Sequence, residues 1–268
     1  MSLDNYDVGE RLWRDDRYVV YRASLRGSDR QVLLKMPIDE APPSHVLESL
    51  RRDYEVSRSL SSKGTLKALS LEFHGTSFVL VLEDFQGLPL STLLHDSLST
   101  IAYCRIAIAT CEALETIHDA GLIHQDIKPA NIIVDSRAWE VRLTGFAVEG
   151  PLAYMAPEQT GRIGRNIDRR SDLYSLGCTL YAMTTGSPPF PDQDHLGLVH
   201  SHIAVTPSPP PGTPKPLSDL ILKLLAKDPE DRYQSGRGVR QDLHLILNAL
   251  NQGEELQSFR LGRQDGRD

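Results

Sequence analysis

The spacing of apolar residues changes partway along the chain. In residues 6–36, short runs such as RYVVYRASL and RQVLLKM alternate apolar and polar positions around the turn GSDR, which predicts strands. The Pro-bounded segment PPSHVLESLRRDYEVSRSL has helical apolar spacing and predicts one helix. LKALSLEF and SFVLVLEDF, separated by HGTS, predict two further strands. Residues 1–86 are therefore expected to form a small, mostly β unit with one helix.

Beyond this unit the apolar spacing is mainly that of helices. A long buried stripe runs from Ile101 and ends at Gly121, which predicts one long helix. NIIV and VRLT predict short strands, and DLYSLGCTLYAMTTG and LSDLILKLLAKDP predict helices after Pro157, as does the last apolar stripe of the chain. We expect residues 87–250 to form a larger, mostly helical unit. The polar, Gly-containing residues 251–268 are expected to form a linker or tail.

Composition restricts the class of protein. The chain is 40% hydrophobic and 24% charged, with a formal net charge of −7, as in ordinary soluble globular proteins. It has no sustained Lys/Arg run, so neither nucleic acid nor a membrane is an expected partner. No apolar run reaches the ~18 residues of a membrane span, and MSLDNYDVGE lacks a signal-peptide pattern. We expect buried free thiols at Cys104, Cys111 and Cys178, and a cytoplasmic location.

Residues that can carry chemistry stand where the β-rich half gives way to the helical half. HQDIKPAN precedes a short strand, VLLK lies in an early strand, and APE, DLYSLG and EDRY follow in that order. This set of motifs resembles that of the protein-kinase family. The resemblance covers about residues 6–250. It implies an α+β, bilobal protein-kinase-like fold, with a small β-rich N-lobe that has one main helix and a larger, mostly helical C-lobe.

The resemblance also implies a role for each matched residue. In the catalytic loop, Asp126 would be the base, Lys128 would steady the transferring phosphate and Asn131 would be a metal ligand. Alternatively, these groups persist only as structural hydrogen-bonding residues. The implied nucleotide-binding positions are Lys35, Asp53, Val20, Leu33, Glu83, Phe85 and Ile133. The implied structural residues are His124, Phe146, Glu158, Asp172 and Arg232.

The metal position departs from the family pattern. In VRLTGFA, Gly145 replaces the metal-binding acid and Ala147 replaces a glycine. Mg²⁺ prefers hard oxygen ligands in near-octahedral geometry, and Asn131 alone is a weak, neutral ligand. Glu149 is the nearest downstream acid, and it could serve only with a rebuilt backbone. We therefore do not expect Mg²⁺ to bind in the normal way.

The residues that would enclose a nucleotide also depart from the pattern. The three glycine positions of the phosphate-covering loop fall on Trp13, Asp15 and Tyr18, which predicts an ordinary hairpin rather than a phosphate cover. Asp53 is shorter than the glutamate of the family by one C–C bond, about 1.5 Å, which predicts a weakened clamp on the strand lysine. Leu33 would partly fill the adenine pocket. ATP binding is possible but expected to be weak.

The segment from Gly145 to Glu158 is shorter than a substrate-binding activation segment, and Gln125 replaces the Arg that would pair with a phosphorylated loop. We interpret the chain as a catalytically impaired protein-kinase-like domain, a pseudokinase, that acts as a regulatory or scaffolding signalling module. One alternative is a weakly active Ser/Thr protein kinase that transfers the ATP γ-phosphate. Another is a metal-independent nucleotide-sensing module.

A narrower resemblance concerns the context of the domain. AYMAPEQTGRIGRNIDRRSDLYSLGCTLY, LVHSHIA, AKDPEDRYQS and FRLGRQD resemble the N-terminal kinase-like domain of large bacterial signalling proteins. In those proteins an AAA/STAND-type ATPase, sensor modules and a histidine kinase follow the Ser/Thr kinase-like domain. The resemblance implies two-component signalling, with adjoining domains or another protein as the partner, and a chain that is a fragment ending at the linker to the ATPase.

Overall fold

The first half of the chain folds around a five-stranded antiparallel sheet, in which the fifth strand of the chain lies between the third and the fourth. The computed structural model describes residues 3, 5–60, 64–94, 98–146, 150–191 and 194–266. The elements of this half are β1 (Tyr6–Arg14), β2 (Tyr18–Leu25), β3 (Gln31–Pro37), α1 (Ser44–Ser59), β4 (Ala68–His74) and β5 (Ser77–Glu83). Its central strand β3 is an apolar run because both of its faces are covered: Leu33 and Leu34 lie in different apolar clusters.

The second half is mostly helical and contains a small three-stranded sheet, β6-β7-β8. Its elements are β6 (Leu88–Pro89), α2 (Leu90–Leu93), α3 (Thr100–Asp119), β7 (Ile132–Asp135), β8 (Glu140–Leu143), α4 (Arg169–Thr185), α5 (His195–Ala204), α6 (Lys215–Leu224) and α7 (Gly236–Gln252). Helix α4 lies in the centre and is buried from Ser171 to Met183. A helix that other elements surround carries mostly small or apolar residues on every side, as α4 does apart from the buried acid Asp172.

The two halves meet through β7 and through the segment before β4. Ile133 of β7 lies in the apolar cluster of the first half. Leu66 N donates to Leu143 O at 3.1 Å, and Leu143 N donates to Gly64 O at 2.9 Å. These contacts set β3 opposite the loop between α3 and β7. The arrangement confirms the predicted α+β fold with a β-rich N-lobe and a larger helical C-lobe.

The tail predicted after residue 250 lies against the C-lobe. Helix α7 continues to Gln252, and Leu256, Phe259 and Leu261 pack on the core of the C-lobe. The predicted domain boundaries at residues 86 and 250 stay predictions. In the part of the chain that the structure describes, no helix has both the length and the apolar character needed to cross a bilayer.

A buried ion pair connects the segment after β8 with the residues that precede α7. Arg232 Nη1 and Nη2 lie 2.7 and 3.0 Å from the two carboxylate oxygens of Glu158, and both side chains are 0–1% exposed. Ser171 Oγ donates to Glu158 Oε1 at 2.7 Å, and Arg232 also donates to the carbonyl oxygens of Ala226 and Lys227. The charges therefore lose their water but keep their hydrogen bonds, which is the condition for a stable buried pair.

We expect Arg232→Met to reduce the free energy of unfolding by about 3–5 kcal/mol, because it leaves the Glu158 carboxylate buried without its partner. The measurement is urea denaturation at pH 7, followed by circular dichroism.

Lys215→Met is the control. Lys215 pairs with Asp219 at 2.7 Å, but its side chain is largely exposed, so its loss should leave the denaturation midpoint unchanged. Equal midpoints for the two variants would mean that the Glu158–Arg232 pair does not hold this segment.

Candidate functional site

The catalytic-loop residues predicted from HQDIKPAN lie together in the loop between α3 and β7. Asp126 Oδ2 accepts hydrogen bonds from Lys128 Nζ at 2.9 Å and from Asn131 Nδ2 at 2.8 Å. Asp126 Oδ1 is buried and has no hydrogen-bond partner among the residues that the structure describes. Gly150 covers this oxygen, since a Cβ at that position would lie 2.6 Å from it. The loop is therefore assembled, but its carboxylate is shielded.

Asp172 of α4 supports this loop from below. Its carboxylate accepts hydrogen bonds from His124 N at 2.9 Å and Gln125 N at 2.8 Å, and it lies 2.7 Å from His118 Nε2. Gln125 has φ +66°, a left-handed conformation that non-glycine residues seldom adopt. Burial lowers the pKa of His124, more than the nearby carboxylates raise it, so its ring is neutral. The loop conformation thus depends on a buried acid outside the motif.

Lys35 of β3 and Asp53 of α1 form a short, buried ion pair. Lys35 Nζ lies 2.7 Å from Asp53 Oδ2, and the other oxygen, Oδ1, accepts a hydrogen bond from Phe146 N at 2.6 Å. Ser49 Oγ donates to Phe146 O at 3.4 Å. Burial lowers the pKa of Lys35, but the charge of Asp53 and further contacts raise it, and its net shift is upward. The prediction of a weakened clamp is therefore wrong: α1 lies close enough for the shorter side chain to reach.

Tyr18 covers the lysine of this pair. Its ring centroid lies 4.6 Å from Lys35 Nζ, and its hydroxyl donates to Val46 O of α1 at 3.0 Å. The residue is buried, in agreement with the raised pKa of its hydroxyl, whose first cause is desolvation. A ring at this position takes up the space in which the phosphates of a nucleotide would contact the lysine.

The turn between β1 and β2 contains a carboxylate, that of Asp15, which binds backbone amides of the same turn. Asp15 Oδ1 accepts hydrogen bonds from Arg17 N at 2.8 Å and Tyr18 N at 2.6 Å. In a phosphate-covering loop, backbone amides of this kind would face the phosphates. Arg17 then reaches across the cleft, where its Nη2 lies 3.4 Å from Asp126 Oδ2. Asp15 therefore satisfies backbone amides of the turn, and Arg17 of the same turn contacts the Asp126 carboxylate.

The residues predicted to surround adenine pack directly on one another. Val20, Leu33, Phe85 and Ile133 belong to one apolar cluster and are 1%, 0%, 8% and 0% exposed. Leu12 and Trp13 pack against the same cluster. The walls of an open adenine pocket would be accessible to water, and these walls are not. Leu33 is fully buried in this cluster, and its role in filling an adenine pocket stays a prediction.

Glu83, the remaining nucleotide-binding position, lies at the end of β5. It is partly exposed, and its Oε1 accepts a hydrogen bond from Lys67 N at 3.2 Å. Its backbone N donates to Lys67 O at 2.9 Å. The side chain therefore supports the neighbouring chain segment and is not a member of the apolar cluster.

The open volume of the cleft lies on the other side of Lys128. A cavity of about 770 Å³ lies between the β1–β2 turn, α1 and the residues around Gly150. Arg17, Arg52 and Lys128 line it together with the acids Asp16 and Glu48. The charges at this mouth nearly balance, so it has no strong preference for an anion.

The metal position is closed by Asn131. Gly145 has φ +81°, and a Cβ there would lie 2.5 Å from Asn131 Cγ and 2.6 Å from Asn131 Nδ2. Real Cβ atoms do not approach other atoms so closely, so a side chain at this position would have a strained backbone and would have to displace Asn131. Ala147 and Glu149, which the sequence also raised, lie outside the described residues.

The donor set does not fit the metal–nucleotide complex that the family fold implies. A magnesium ion would have one neutral amide oxygen from Asn131 and no side-chain ligand at Gly145. Phosphates would meet the Tyr18 ring instead of Lys35, and adenine would meet a packed cluster. We derive no phosphoryl-transfer step for this arrangement.

Comparison with known proteins places this architecture in a family. The pattern of the protein kinase domain matches residues 16–243. The chain is 30% identical over 281 residues to the probable serine/threonine-protein kinase PknB of Corynebacterium glutamicum. The alignment covers 92% of this chain and 43% of that protein. It is 34% identical over 192 residues to the serine/threonine-protein kinase PknB of Mycobacterium tuberculosis. This alignment covers 63% of this chain and 30% of that protein.

A probable serine/threonine-protein kinase of Streptomyces coelicolor is 30% identical over 91% of this chain and 40% of its own length. The chain belongs to the protein kinase domain family and is homologous to bacterial serine/threonine kinases. It spans less than half the length of these relatives.

Sequence reasoning did not find two contacts of the site. It assigned Tyr18 to a glycine position without foreseeing the ring above Lys35, and it did not consider Arg17. The sequence feature that could have indicated this contact is a cation, Arg17, directly after Asp15 and Asp16 in the loop that aligns with a phosphate-covering loop. Distances across the cleft, however, depend on how β2 and α1 pack, which local spacing does not determine.

We expect Gly145→Ala to cost more stability than Gly186→Ala. Both glycines have positive φ, but Gly186 has open space around it. Left-handed strain alone costs about 1–2 kcal/mol, and the contact with Asn131 adds about 1–3 kcal/mol at Gly145. Urea denaturation of the two variants measures the difference.

Gly145→Asp extends the test to the metal. It should be destabilised in the same way, and Mg²⁺ or Mn²⁺ should not raise its melting temperature. A metal-dependent rise confined to this variant would show that the cleft can still form a magnesium site.

Proposed function

We propose that this chain is a pseudokinase that acts as a regulatory or scaffolding signalling module. The observation that carries the proposal is Tyr18, which covers Lys35 and donates a hydrogen bond to Val46 of α1. A kinase presents this lysine to the phosphates of ATP. Here the lysine ammonium contacts the Asp53 carboxylate, the Tyr18 ring and Thr144 Oγ1, all within the chain.

The cost of opening the site supports this proposal. Exposing the Tyr18 ring costs about 1.5–3 kcal/mol, breaking its hydrogen bond about 0.5–1.5, and losing the cation–π contact about 1–2. The total is roughly 3–6 kcal/mol. Since each 1.4 kcal/mol is a factor of about ten, opening would weaken nucleotide binding by about 10²–10⁴-fold. ATP binding would then be weak, and Mg²⁺ would not add to it in the normal way.

The weakly active Ser/Thr kinase is the second candidate. The contacts that favour it are the assembled Asp126, Lys128 and Asn131 and the intact pair of Lys35 with Asp53. The relatives named as serine/threonine kinases favour it as well. It requires both a metal ligand that the described residues do not offer and a movement of Tyr18.

A metal-independent nucleotide-sensing module is the third candidate. Gly145 removes one negative charge from the place where phosphates would lie, which lowers the need for a bridging cation. The packed cluster around Leu33 counts against it, because adenine would have to displace apolar side chains.

We propose that the domain transmits a signal through surface contacts with a partner. Adjoining domains of a larger bacterial signalling protein, or a separate protein, would be the partner, in a cytoplasmic two-component pathway. Neither nucleic acid nor a membrane is part of the proposal. It rests on the resemblance of the C-lobe segments to such proteins and on the closed cleft, which leaves surface contacts as the remaining means of transmitting a signal.

We expect ATP, with or without Mg²⁺, to leave the melting temperature of the wild-type chain unchanged within measurement error. Tyr18→Ala should gain a stabilisation by millimolar ATP, because it uncovers Lys35. Differential scanning fluorimetry measures both effects. Tyr21→Ala is the control, since Tyr21 is also in β2 but packs against the cluster on the other face of the sheet.

If ATP stabilises the wild-type chain, the conditions under which it does so distinguish the two alternatives. A shift that needs Mg²⁺, together with phosphotransfer that Asp126→Asn abolishes, would establish the weak kinase and defeat the proposal. A shift that EDTA does not affect, without phosphotransfer, would establish the nucleotide sensor.

A further inference from the structure

Residues 254–266, here called the C-terminal strap, fold back onto the C-lobe. Leu256, Phe259 and Leu261 are partly buried and pack against the main apolar core. Gly262 N donates to Asp242 Oδ2 of α7 at 2.7 Å, and the same oxygen accepts the Tyr233 hydroxyl at 2.6 Å. The strap therefore combines apolar side chains with a specific hydrogen bond to a buried carboxylate.

Asp265 anchors the end of the strap beside the first turn of α7. Its Oδ2 accepts a hydrogen bond from Gln234 N at 2.6 Å, and its Oδ1 accepts one from Ser235 Oγ at 2.9 Å. Gly238 leaves room for this carboxylate: a Cβ there would lie 2.5 Å from Asp265 Cγ and 2.7 Å from its Cβ. The surface of the C-lobe thus has a notch that matches one aspartate of the strap.

The residues that hold Asp265 are the neighbours of the buried ion pair. Gln234 Nε2 donates to Arg232 O at 2.9 Å and to Pro229 O at 3.0 Å, and Arg170 Nη1 donates to Gln234 Oε1 at 3.0 Å. Arg232 in turn holds Glu158. One continuous set of hydrogen bonds therefore connects the strap to the segment that follows the catalytic loop.

We infer that the strap is a cis-bound peptide ligand of this surface, and that its docking stabilises the Glu158–Arg232 anchor. The surface consists of Tyr233, Gln234, Ser235, Gly238 and Asp242. It fits an apolar segment that is followed by a turn glycine and an aspartate, as Phe259 and Leu261 are followed by Gly262 and Asp265. A force or a partner that removes the strap thereby loosens the segment around Glu158. The inference holds whether or not the cleft transfers phosphate.

The test is hydrogen exchange on the full chain with Asp265→Asn. We expect the Gln234 and Gly262 amides to exchange about ten times faster, because a hydrogen bond to a charged group is lost and the strap opens more often. The amides of Ala156 and of residues 158–160 should also exchange several times faster. Glu255→Gln is the charge-matched control, since Glu255 is an exposed residue of the same strap, and its exchange should equal that of the wild type.

Gly238→Ala tests the notch without a change in the strap. Alanine has the higher helix propensity, so α7 itself gains stability, while the new methyl group excludes Asp265. The same amides should exchange faster in this variant. Asn248→Ala, at an exposed position of α7, is its control and should leave them unchanged.

The outcomes are distinct. Faster exchange in the strap and at residues 156–160 in both variants supports the inference. Faster exchange in the strap alone overturns the coupling to Glu158, and unchanged exchange in the strap overturns the docking itself. None of these results depends on nucleotide binding, so they leave the proposed pseudokinase function to its own test.

Discussion

The Asp53 carboxylate is the contact on which the arrangement of the cleft depends. One oxygen pairs with Lys35 of the sheet, and the other accepts the Phe146 amide of the segment after β8. Removing either charge would leave the other buried without a partner, which costs several kcal/mol in proteins. A single acid on α1 therefore fixes the sheet, the helix and the segment that would carry a metal ligand relative to one another.

This internal neutralisation recurs at each place where a nucleotide would be bound. The Asp15 carboxylate accepts hydrogen bonds from amides of the β1–β2 turn, and the Tyr18 ring covers the open face of Lys35. Arg17 and Lys128 both turn to Asp126. A binding group that already has an intramolecular partner must lose that partner before it can bind a ligand, and the net gain from binding falls by that amount. Weak nucleotide binding would thus follow from several satisfied contacts and not from a single missing residue.

The sequence predicted the fold well because apolar spacing is a local property. The change from period-two to helical spacing gives the two lobes, and the motif order gives the catalytic loop. The contacts within the cleft were harder to predict. The length of Asp53 suggested a weak clamp, yet the position of α1, which depends on packing against the sheet, brings the carboxylate to 2.7 Å from Lys35. The docking of Asp265 in the notch beside Gly238 is equally non-local, and a polar, Gly-containing tail does not indicate it.

The contacts around Gly145 hold the fold without an acid at this position. With no side chain at this position, Asn131 occupies the adjacent space and bonds to the main chain of Asp126, so the catalytic loop keeps its shape. Asp172 holds the same loop from α4, and Glu158 with Arg232 holds the segment beyond it. None of these contacts uses a metal or a phosphate. A kinase fold whose conformation depends on internal pairs alone keeps its surfaces in register without a nucleotide, and a scaffolding or regulatory role requires that property.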